Sequence, residues 1–248
     1  MGNGKKTVAF HTLGCKLNFS ETSQIGRQLE QEGFTRVDFG QEADISVIHT
    51  CSVTGSADRK TRQAIKKAIK ASPGGYIVAM GCYAQLQPET LASLEGVDLV
   101  LGSRDKFNLP EYLKKPLIKG RPEVHSCGTE DLSAFFPAWS SGERTRAFLK
   151  VQDGCDYKCS YCTIPEARGK SRNPDIEVLI EQAENISSKG IKEIVLTGVN
   201  IGDFGKSTGQ DFTRLIRKLD ESNINARFRI SSIEPNLITD DIIKITSS

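Results

Sequence analysis

The sequence predicts an α/β protein: an N-terminal domain built on a parallel sheet, followed by an incomplete (β/α) barrel. Three observations predict this class. Apolar, β-branched runs of strand length alternate with amphipathic runs of helix length, glycine and proline mark the changes between them, and the alternation begins again after a break at residues 115–144. Strands that alternate with helices form parallel sheets whose faces the helices cover.

The first domain, predicted over residues 1–114, contains four cycles of strand and helix. The first helix, ETSQIGRQLEQE, ends at Gly33, because glycine commonly terminates helices. The second spans about 56–71 and stops before Pro73, and Pro88 opens the third within its first turn. A short fourth helix follows the last strand. The predicted strands are 7–13 (TVAFHTL), 45–50 (ISVIHT), 76–80 (YIVAM) and 97–101 (VDLVL).

A linker is predicted between the two series. Residues 115–144 lack a sustained hydrophobic period and are rich in proline, glycine and serine. Phe135, Phe136 and Trp139 are expected to fasten this segment onto a neighbouring domain, so we do not expect a free tether.

The second domain is predicted over residues 145–248. A helix starts at Asn173-Pro174-Asp175, where a capping residue, a first-turn proline and early acids occur together. The other predicted elements are strands at 147–152, 193–199 and 227–233, a helix near 211–221 and the beginning of a last helix. Three β/α units cannot close a barrel, and an open three-stranded sheet leaves an unpaired edge. We therefore expect the chain to be C-terminally incomplete.

The composition favours a cytoplasmic protein. The 33 basic and 31 acidic residues give a net charge of +2, so any nucleic-acid surface has to be a local patch. Apolar runs stay well short of the roughly 18–20 residues that a membrane span needs, and the N-terminus has no apolar signal-peptide core. We expect no membrane partner. The 7 cysteines then favour metal or redox ligands over disulfides.

Three cysteines of the first domain occupy equivalent positions in successive units. Cys15, Cys51 and Cys82, here called the N-terminal trio, each lie at or just past the end of a predicted strand. The C-terminal ends of parallel strands share one edge of the sheet, where ligand sites of α/β folds lie. The trio is therefore predicted to meet there as ligands. The alternative is that each is a small buried hydrophobic residue.

A second set of cysteines forms a compact C-x3-C-x2-C motif. Cys155, Cys159 and Cys162, here called the loop trio, follow the first strand of the second domain. Structural zinc takes four ligands, commonly in two paired halves, and the bacterial ferredoxin run has a fourth cysteine before proline. Three thiolates suit a [4Fe–4S] cluster with one iron open to a reacting molecule. A chance motif in a cysteine-rich chain is the alternative.

The loop GCDYKCSYC resembles the signature of radical S-adenosylmethionine (SAM) enzymes. The resemblance extends over nearly the whole chain to the tRNA methylthiotransferases, which join an N-terminal domain carrying three cysteines to a radical SAM (β/α) barrel. Within that family, GCKLN favours the branch that acts on threonylcarbamoyladenosine beside the anticodon. The motifs that carry the resemblance are TLGCKLNFSETS, HTCSVTGSADRKTRQAI, GCYAQ, RTRAFLKVQDGC, IPEARGKSR, LTGVNIGDFG and SSIEPNLITDDII.

The resemblance implies two [4Fe–4S] clusters and SAM as cofactors. The loop trio would hold the radical cluster, whose open iron binds SAM, and one-electron cleavage of SAM would give a deoxyadenosyl radical that removes a hydrogen atom from an unactivated C–H bond. The N-terminal trio would hold an auxiliary cluster that carries or relays the inserted sulfur. A second SAM would supply the methyl group.

Further cofactor residues also follow from the resemblance. Tyr161 matches the aromatic residue before the third cysteine, whose backbone meets the adenine. Gly198 and Asn200 lie where the second strand of the family approaches the methionyl amino group. Arg168 and Arg172 would face the methionyl carboxylate or a tRNA phosphate, and a solvated surface charge is the alternative for both.

The implied partners are tRNA, an electron donor of the flavodoxin or ferredoxin type, and a sulfur donor. The basic residues of DRKTRQAIKKAIK could contact phosphate, although a solvated helix face explains them equally well. Glu166 departs from the family, which has an aromatic or aliphatic residue there.

Two histidines and one cysteine are predicted to lie outside the ligand sets. His11 and His49 precede two cysteines of the N-terminal trio on predicted strands, and each is interpreted as a buried, hydrogen-bonded histidine. Cys127 has no other cysteine at motif spacing and is interpreted as a bystander.

Two other hypotheses remain open from the sequence. The same chemistry could act on isopentenyladenosine in tRNA or on a ribosomal protein, which GCKLN disfavours. From a different class, the protein could be a non-catalytic iron–sulfur or zinc protein whose cysteines serve structure or electron transfer.

Overall fold

A computed structural model describes residues 6–51, 55–140 and 145–247. The strands in these ranges are β1 (Thr7–Thr12), β2 (Thr35–Val37), β3 (Ile45–Thr50), β4 (Tyr76–Gly81), β5 (Leu99–Leu101), β6 (Glu123–His125), β7 (Ala147–Lys150), β8 (Glu193–Thr197) and β9 (Arg227–Ile230). The helices are α1 (Lys16–Gln31), α2 (Gly55–Ala71), α3 (Cys82–Leu86), α4 (Pro88–Ala92), α5 (Leu109–Lys114), α6 (Ile164–Arg168), α7 (Ile176–Ser188), α8 (Phe212–Asp220) and α9 (Asp240–Ser247).

The predicted α/β class is confirmed. In the described ranges the N-terminal domain has a 6-stranded sheet in the order β2-β1-β3-β4-β5-β6, and all of its pairings are parallel. Every residue of β3 and β4 is buried, as expected for central strands covered on both faces. The C-terminal ends of β1, β3 and β4 therefore lie together at one edge of the sheet.

Helices cover both faces of this sheet. Side chains that alternate along the strands divide between two cores. One core joins the strands to α1 through Ile25 and Leu29 and to α5 through Leu109. The other joins them to α2 through Ala64 and Ile65 and to α4 through Leu91. The basic residues described on α2 lie on an exposed helix face, as the solvated-face interpretation expects. They are Arg59, Lys60, Arg62, Lys66, Lys67 and Lys70.

The structure differs from the sequence-based expectations in short elements. β2 and β6 have 3 residues each, too few to show a hydrophobic period, and each pairs with a longer or more buried neighbour. Since β6 extends the first sheet, the segment predicted as a linker also belongs structurally to the N-terminal domain. α1 begins five residues before the predicted start at Glu21, and α6 was not predicted. α7 begins at Ile176 without a side-chain cap.

The aromatic residues of the predicted linker fasten it to both domains, as expected. Phe136 stacks on Phe107 at 4.5 Å between ring centroids, within the core of the first domain. Trp139 packs into the core of the second domain, and the Arg27 guanidinium of α1 lies 4.0 Å from its ring centroid. Arg27 also donates a hydrogen bond of 2.8 Å to the carbonyl of Trp139.

The second domain contains the 3-stranded parallel sheet β7-β8-β9 among the described residues. One face, with Leu149, Ile194 and Leu196, packs on α7 and α8. The opposite face is directed at the N-terminal domain, because Lys150 of β7 reaches Glu21 of α1 at 2.9 Å. The structure contains, in the ranges that it describes, no helix with the length and apolar character needed to cross a membrane.

Replacing a core side chain of the second domain tests this packing. Ile194 is fully buried, so Ile194→Ala is expected to lower the free energy of unfolding by about 2–5 kcal/mol through lost burial and a residual cavity. Urea unfolding followed by the fluorescence of the single tryptophan, Trp139, measures this loss. Ile243→Ala is the matched control, because Ile243 is 54% exposed and its truncation should cost at most about 0.5 kcal/mol. Equal effects of both substitutions would contradict the assigned packing.

Candidate functional site

The structure places the N-terminal trio at one edge of the first sheet. Cys15 precedes α1, Cys51 follows β3, and Cys82 is the first residue of α3 after β4. Gly14, at φ +101°, brings the first two loops together, since a Cβ on it would lie 2.9 Å from the Cys51 sulfur. Cys15 is exposed and Cys82 is buried. The edge therefore presents thiols from three separate strand ends.

Two polar side chains hold these three loops together. The Asn18 amide nitrogen donates to the carbonyls of Leu13, at 2.8 Å, and Thr50, at 3.2 Å. The Thr50 hydroxyl donates to the Met80 carbonyl at 2.8 Å and accepts the N–H of Ala84 at 3.3 Å. The ends of β1, β3 and β4 are thus connected by hydrogen bonds, which fixes the spacing of the loops that carry the cysteines.

The loop trio lies on a tight turn after β7. The N–H of Cys162 donates to the carbonyl of Cys159 at 3.0 Å, and the N–H of Cys155 donates to the carbonyl of Gly169 at 3.0 Å. Burial raises the pKa of the Cys155 thiol, although a hydrogen bond from the backbone N–H of Tyr157 acts in the opposite direction. That N–H is oriented to stabilise a thiolate, as cluster binding requires.

The donor chemistry of both trios fits an iron–sulfur cluster. In the part of the chain that the structure describes, no three Cys, His, Asp or Glu side chains converge closely enough to hold one metal ion. A cubane cluster has a different requirement, because each thiolate binds a different iron. Each trio supplies three thiolates, the number that a [4Fe–4S] cluster with one open iron takes.

Gln152 connects the cysteine loop to the end of β8. Its amide oxygen accepts the N–H groups of Val199, at 2.9 Å, and Asn200, at 3.0 Å. Its amide nitrogen donates to the carbonyl of Gly154 at 2.7 Å and to the Ser171 hydroxyl at 2.9 Å. Gln152 is fully buried, so it fixes the distance between these two loops. Sequence reasoning missed it, although a polar residue between a strand and a cysteine motif is a usable signal.

The residues predicted to contact the cofactor lie on the two segments that follow β7 and β8. Gly198 lies against Gln152, because a Cβ on it would be 2.7 Å from the Gln152 amide oxygen. Asn200 is buried, and its amide nitrogen has no hydrogen-bond partner among the described residues. A buried free donor is suited to a ligand acceptor. The Tyr161 side chain is 89% exposed, and its predicted role for the backbone stays a prediction.

Arg168 and Arg172 are not surface charges, so that sequence-based alternative is wrong. Arg168 is 1% exposed, and its guanidinium donates to Glu21 at 3.0 Å, Asp153 at 2.9 Å and Asn18 at 2.7 Å. Arg172 is 8% exposed and donates to Asp153 at 3.1 Å. Both guanidinium groups are bonded to protein acceptors, which gives them a structural setting that the sequence did not indicate.

These arginines belong to a buried ion cluster between the domains. The Glu21 carboxylate of α1 accepts from the Lys106 ammonium at 2.7 Å and the Lys150 ammonium at 2.9 Å, in addition to Arg168. Lys150 also lies 2.7 Å from Asp153. The buried ion cluster, as the term is used below, comprises Glu21, Lys106, Lys150, Asp153, Arg168 and Arg172.

The cluster keeps Glu21 ionised despite its burial. Burial alone raises the pKa of this carboxyl, but the charges of Arg168, Lys106 and Lys150 outweigh it and hold the pKa well below the ordinary 4.5. Sequence reasoning missed Glu21, Lys106 and Lys150. A lysine inside the apolar strand AFLK was a visible signal, whereas nothing near Lys106 distinguished it from a surface lysine.

The two histidines have different settings. His49 is fully buried, its Nδ1 lies 2.8 Å from the Thr22 hydroxyl, and burial together with Lys106 holds its pKa well below the ordinary 6.5. The interpretation of a buried, hydrogen-bonded histidine is confirmed there. His11 is only half-buried and stacks on Phe39 at 4.5 Å between ring centroids. Cys127 contributes its carbonyl to the Gln85 amide at 2.7 Å.

A cavity of about 550 Å³ lies between the two domains. Gly14, Cys15 and Phe19 line it from the N-terminal domain. Thr197 and Gly198 line it from the C-terminal end of β8. One cysteine of the N-terminal trio and the strand end next to the loop trio therefore open onto the same space.

Comparison with protein families finds two separate matches along the chain. Residues 7–102 match a family described as uncharacterized protein family UPF0004, and residues 149–245 match the radical SAM superfamily. Membership in that superfamily implies a [4Fe–4S] cluster and SAM as cofactors.

Curated relatives align with nearly the whole chain. The chain is 42% identical over 247 residues to the threonylcarbamoyladenosine tRNA methylthiotransferase MtaB of Bacillus subtilis, covering 96% of this chain and 54% of that protein. It is 37% identical to MtaB of Aquifex aeolicus, covering 97% and 59%. It is 29% identical to the tRNA-2-methylthio-N(6)-dimethylallyladenosine synthase of Clostridium perfringens, covering 96% and 55%. The chain thus spans about half the length of these relatives.

A solved structure supports the fold. The radical SAM methyltransferase TsrM from Kitasatospora setae aligns with a TM-score of 0.61 at 11% identity, covering 98% of this chain and 59% of that one. Together, the domain matches define a radical SAM protein with a UPF0004 domain at its N-terminus. With its relatives they make the chain similar, over nearly its whole length, to the radical SAM methylthiotransferases.

Glu21→Gln is expected to lower the free energy of unfolding at neutral pH and to weaken its acid dependence. Truncating one charge of a buried network costs about 3–5 kcal/mol. Because the folded pKa of Glu21 is depressed, the unfolded chain binds the extra proton, and stability falls as pH drops below about 4.5, by at most about 1.4 kcal/mol per pH unit. At higher pH this carboxyl is ionised in both states and contributes no slope.

Urea unfolding between about pH 3 and 7 measures both effects. The exposed Glu184→Gln serves as the control and should keep the parent slope. A Glu21→Gln variant with an unchanged acid slope would show that the cluster does not depress this pKa.

Proposed function

We propose that the protein is a radical SAM methylthiotransferase that adds a methylthio group to threonylcarbamoyladenosine next to the anticodon of tRNA. The observation that carries the proposal is the inter-domain cavity. Cys15 of the N-terminal trio and Gly198, which directly follows β8, line the same cavity of about 550 Å³. A reaction that joins sulfur to a carbon radical needs its sulfur source and its radical source to face one substrate position.

Each trio has a role in this proposal. The loop trio would hold the cluster that, with SAM bound, supplies one-electron cleavage of the sulfonium. The N-terminal trio would hold the second cluster, which supplies sulfur. The protein contributes position: Gln152 spaces the cysteine loop from the end of β8, and the free amide donor of Asn200 is available to a ligand acceptor.

The choice of nucleoside rests on the relatives and one motif. MtaB of Bacillus subtilis and of Aquifex aeolicus are named as threonylcarbamoyladenosine tRNA methylthiotransferases, and GCKLN favours the same branch. The dimethylallyladenosine synthase relative is less similar, at 29% identity, and supports isopentenyladenosine as the second candidate substrate.

Three exposed basic residues, Lys16, Arg146 and Arg229, line the cavity. Glu193 lies 3.3 Å from the Arg146 guanidinium and 3.9 Å from that of Arg229, so one carboxylate is shared between two of the three cations. Basic side chains at this position would contact tRNA phosphates around the modified base. An electron donor of the flavodoxin or ferredoxin type and a sulfur donor are the other expected partners.

Release of 5′-deoxyadenosine tests the radical chemistry. The anaerobically reconstituted chain, reduced with dithionite, is expected to release it from SAM and to contain about four irons for each trio. Replacing the loop trio by alanine should abolish release, because no open iron remains to bind SAM, whereas replacing the N-terminal trio should leave release intact. Zinc near one per chain, or a full iron content without any release, would favour the non-catalytic hypothesis.

Nucleoside analysis tests the substrate. tRNA bearing threonylcarbamoyladenosine and tRNA bearing isopentenyladenosine are incubated separately with the reconstituted chain, and the digested nucleosides are measured by mass spectrometry. We expect a methylthio group, seen as its mass increment, on threonylcarbamoyladenosine only. Methylthiolation of isopentenyladenosine instead would assign the second candidate, and a chain with the N-terminal trio replaced should modify neither tRNA.

A further inference from the structure

The buried ion cluster contains more positive than negative charge. Its four cations come from Lys106, Lys150, Arg168 and Arg172, and its two carboxylates from Glu21 and Asp153; all six side chains belong to residues at most 8% exposed. His49 adds no charge, because burial and Lys106 keep it neutral. Among the described residues the cations thus exceed the carboxylates of this cluster by two. Buried charge is costly without a counter-charge, so an anion is expected at its border.

The N-terminal trio lies at the border of the buried ion cluster. The Asn18 amide oxygen accepts from the Arg168 guanidinium at 2.7 Å and lies 3.8 Å from the Cys15 sulfur. One amide therefore separates the guanidinium from a thiol of the trio.

A second contact brings Arg168 to the same place. Cys82 begins α3, Arg168 ends α6, and these two helices pack together. The Ser103 hydroxyl donates to the Ala167 carbonyl at 2.6 Å and holds the end of α6 against the first domain. Consistent with this placement, burial lowers the pKa of Arg168, but Cys82, Glu21, Asp153 and Cys15 outweigh it and raise the pKa well above its ordinary value.

We propose that Arg168, a residue of the second domain, is a positioning residue for the iron–sulfur cluster of the N-terminal trio and supplies the positive charge that stabilises its thiolates and its reduced state. Cluster potentials depend on nearby charge and hydrogen bonding. The site on the first domain is complete only when α6 of the second domain is in place. The inference rests on the proposed function, since it requires the trio to hold a cluster.

The reduction potential of that cluster tests the inference. The parent for the experiment is the full chain with Cys155, Cys159 and Cys162 replaced by alanine, so that only the N-terminal trio binds a cluster. Dithionite supplies the electron in a mediated titration followed by electron paramagnetic resonance. Arg168→Gln should shift the midpoint potential to more negative values by about 59 mV. For one electron, this shift is a tenfold change in the equilibrium constant for reduction. Glu21→Gln should shift the midpoint potential to more positive values, because this substitution removes an anion from the buried ion cluster.

Two further variants separate charge from packing. Arg168→Lys keeps the charge and should stay near the parent potential. Arg172→Gln removes a buried cation that bonds Asp153 and backbone carbonyls, and should shift the midpoint less than Arg168→Gln. If Arg168 had a purely structural role, Arg168→Gln and Glu21→Gln would shift the midpoint potential in the same direction.

The remaining outcomes also decide the question. An unchanged midpoint in Arg168→Gln with four irons bound overturns the inference and leaves the cluster of the trio intact. A parent that binds no iron overturns both that cluster and this inference. If Arg168→Gln loses iron while Arg168→Lys retains it with the parent circular dichroism, the inference is supported. Loss of iron in both variants with that spectrum unchanged overturns it.

Discussion

The carboxylate of Glu21 is the interaction on which the arrangement of the two domains depends. It belongs to α1 of the first domain, and it accepts from Lys150 and Arg168 of the second domain as well as from Lys106 of its own. A carboxylate with no access to water requires several donors in good geometry, and these three cations provide them. The position of the second sheet against α1 is therefore fixed by charge and not by apolar packing alone.

Chain order explains why one ion cluster can organise two distant cysteine sets. α1 starts directly after Cys15, and α6 follows Cys162 by one residue, Thr163. Both short connections run from a cysteine into a helix that carries a member of the cluster, Glu21 in one case and Arg168 in the other. A shift of either helix would move the adjoining cysteine loop with it. The fold thereby couples the position of the thiols to the interface between the domains.

Local patterns allowed much of the fold to be predicted, and long-range pairing accounts for what they missed. β3 was predicted with its observed bounds, because a strand covered on both faces is a continuous apolar run. The position of the N-terminal trio at one edge of the sheet was predicted because each of its cysteines follows a predicted parallel strand. β6 escaped prediction, since three residues have no period and its hydrogen bonds come from β5. Arg168 resembled a surface charge because its carboxylate acceptor on α1 lies 147 positions away in the sequence.

The same separation has a consequence for synthesis on the ribosome. The cations that pair with Glu21 follow it by 85, 129 and 147 positions. While the first domain alone has emerged, only Lys106 is available to this carboxylate, and the others are still being made or lie within the exit tunnel. Domains generally fold in the order of translation, but an incompletely paired buried charge disfavours early closure. In the nascent first domain Glu21 would therefore stay incompletely paired until α6 of the second domain has been released.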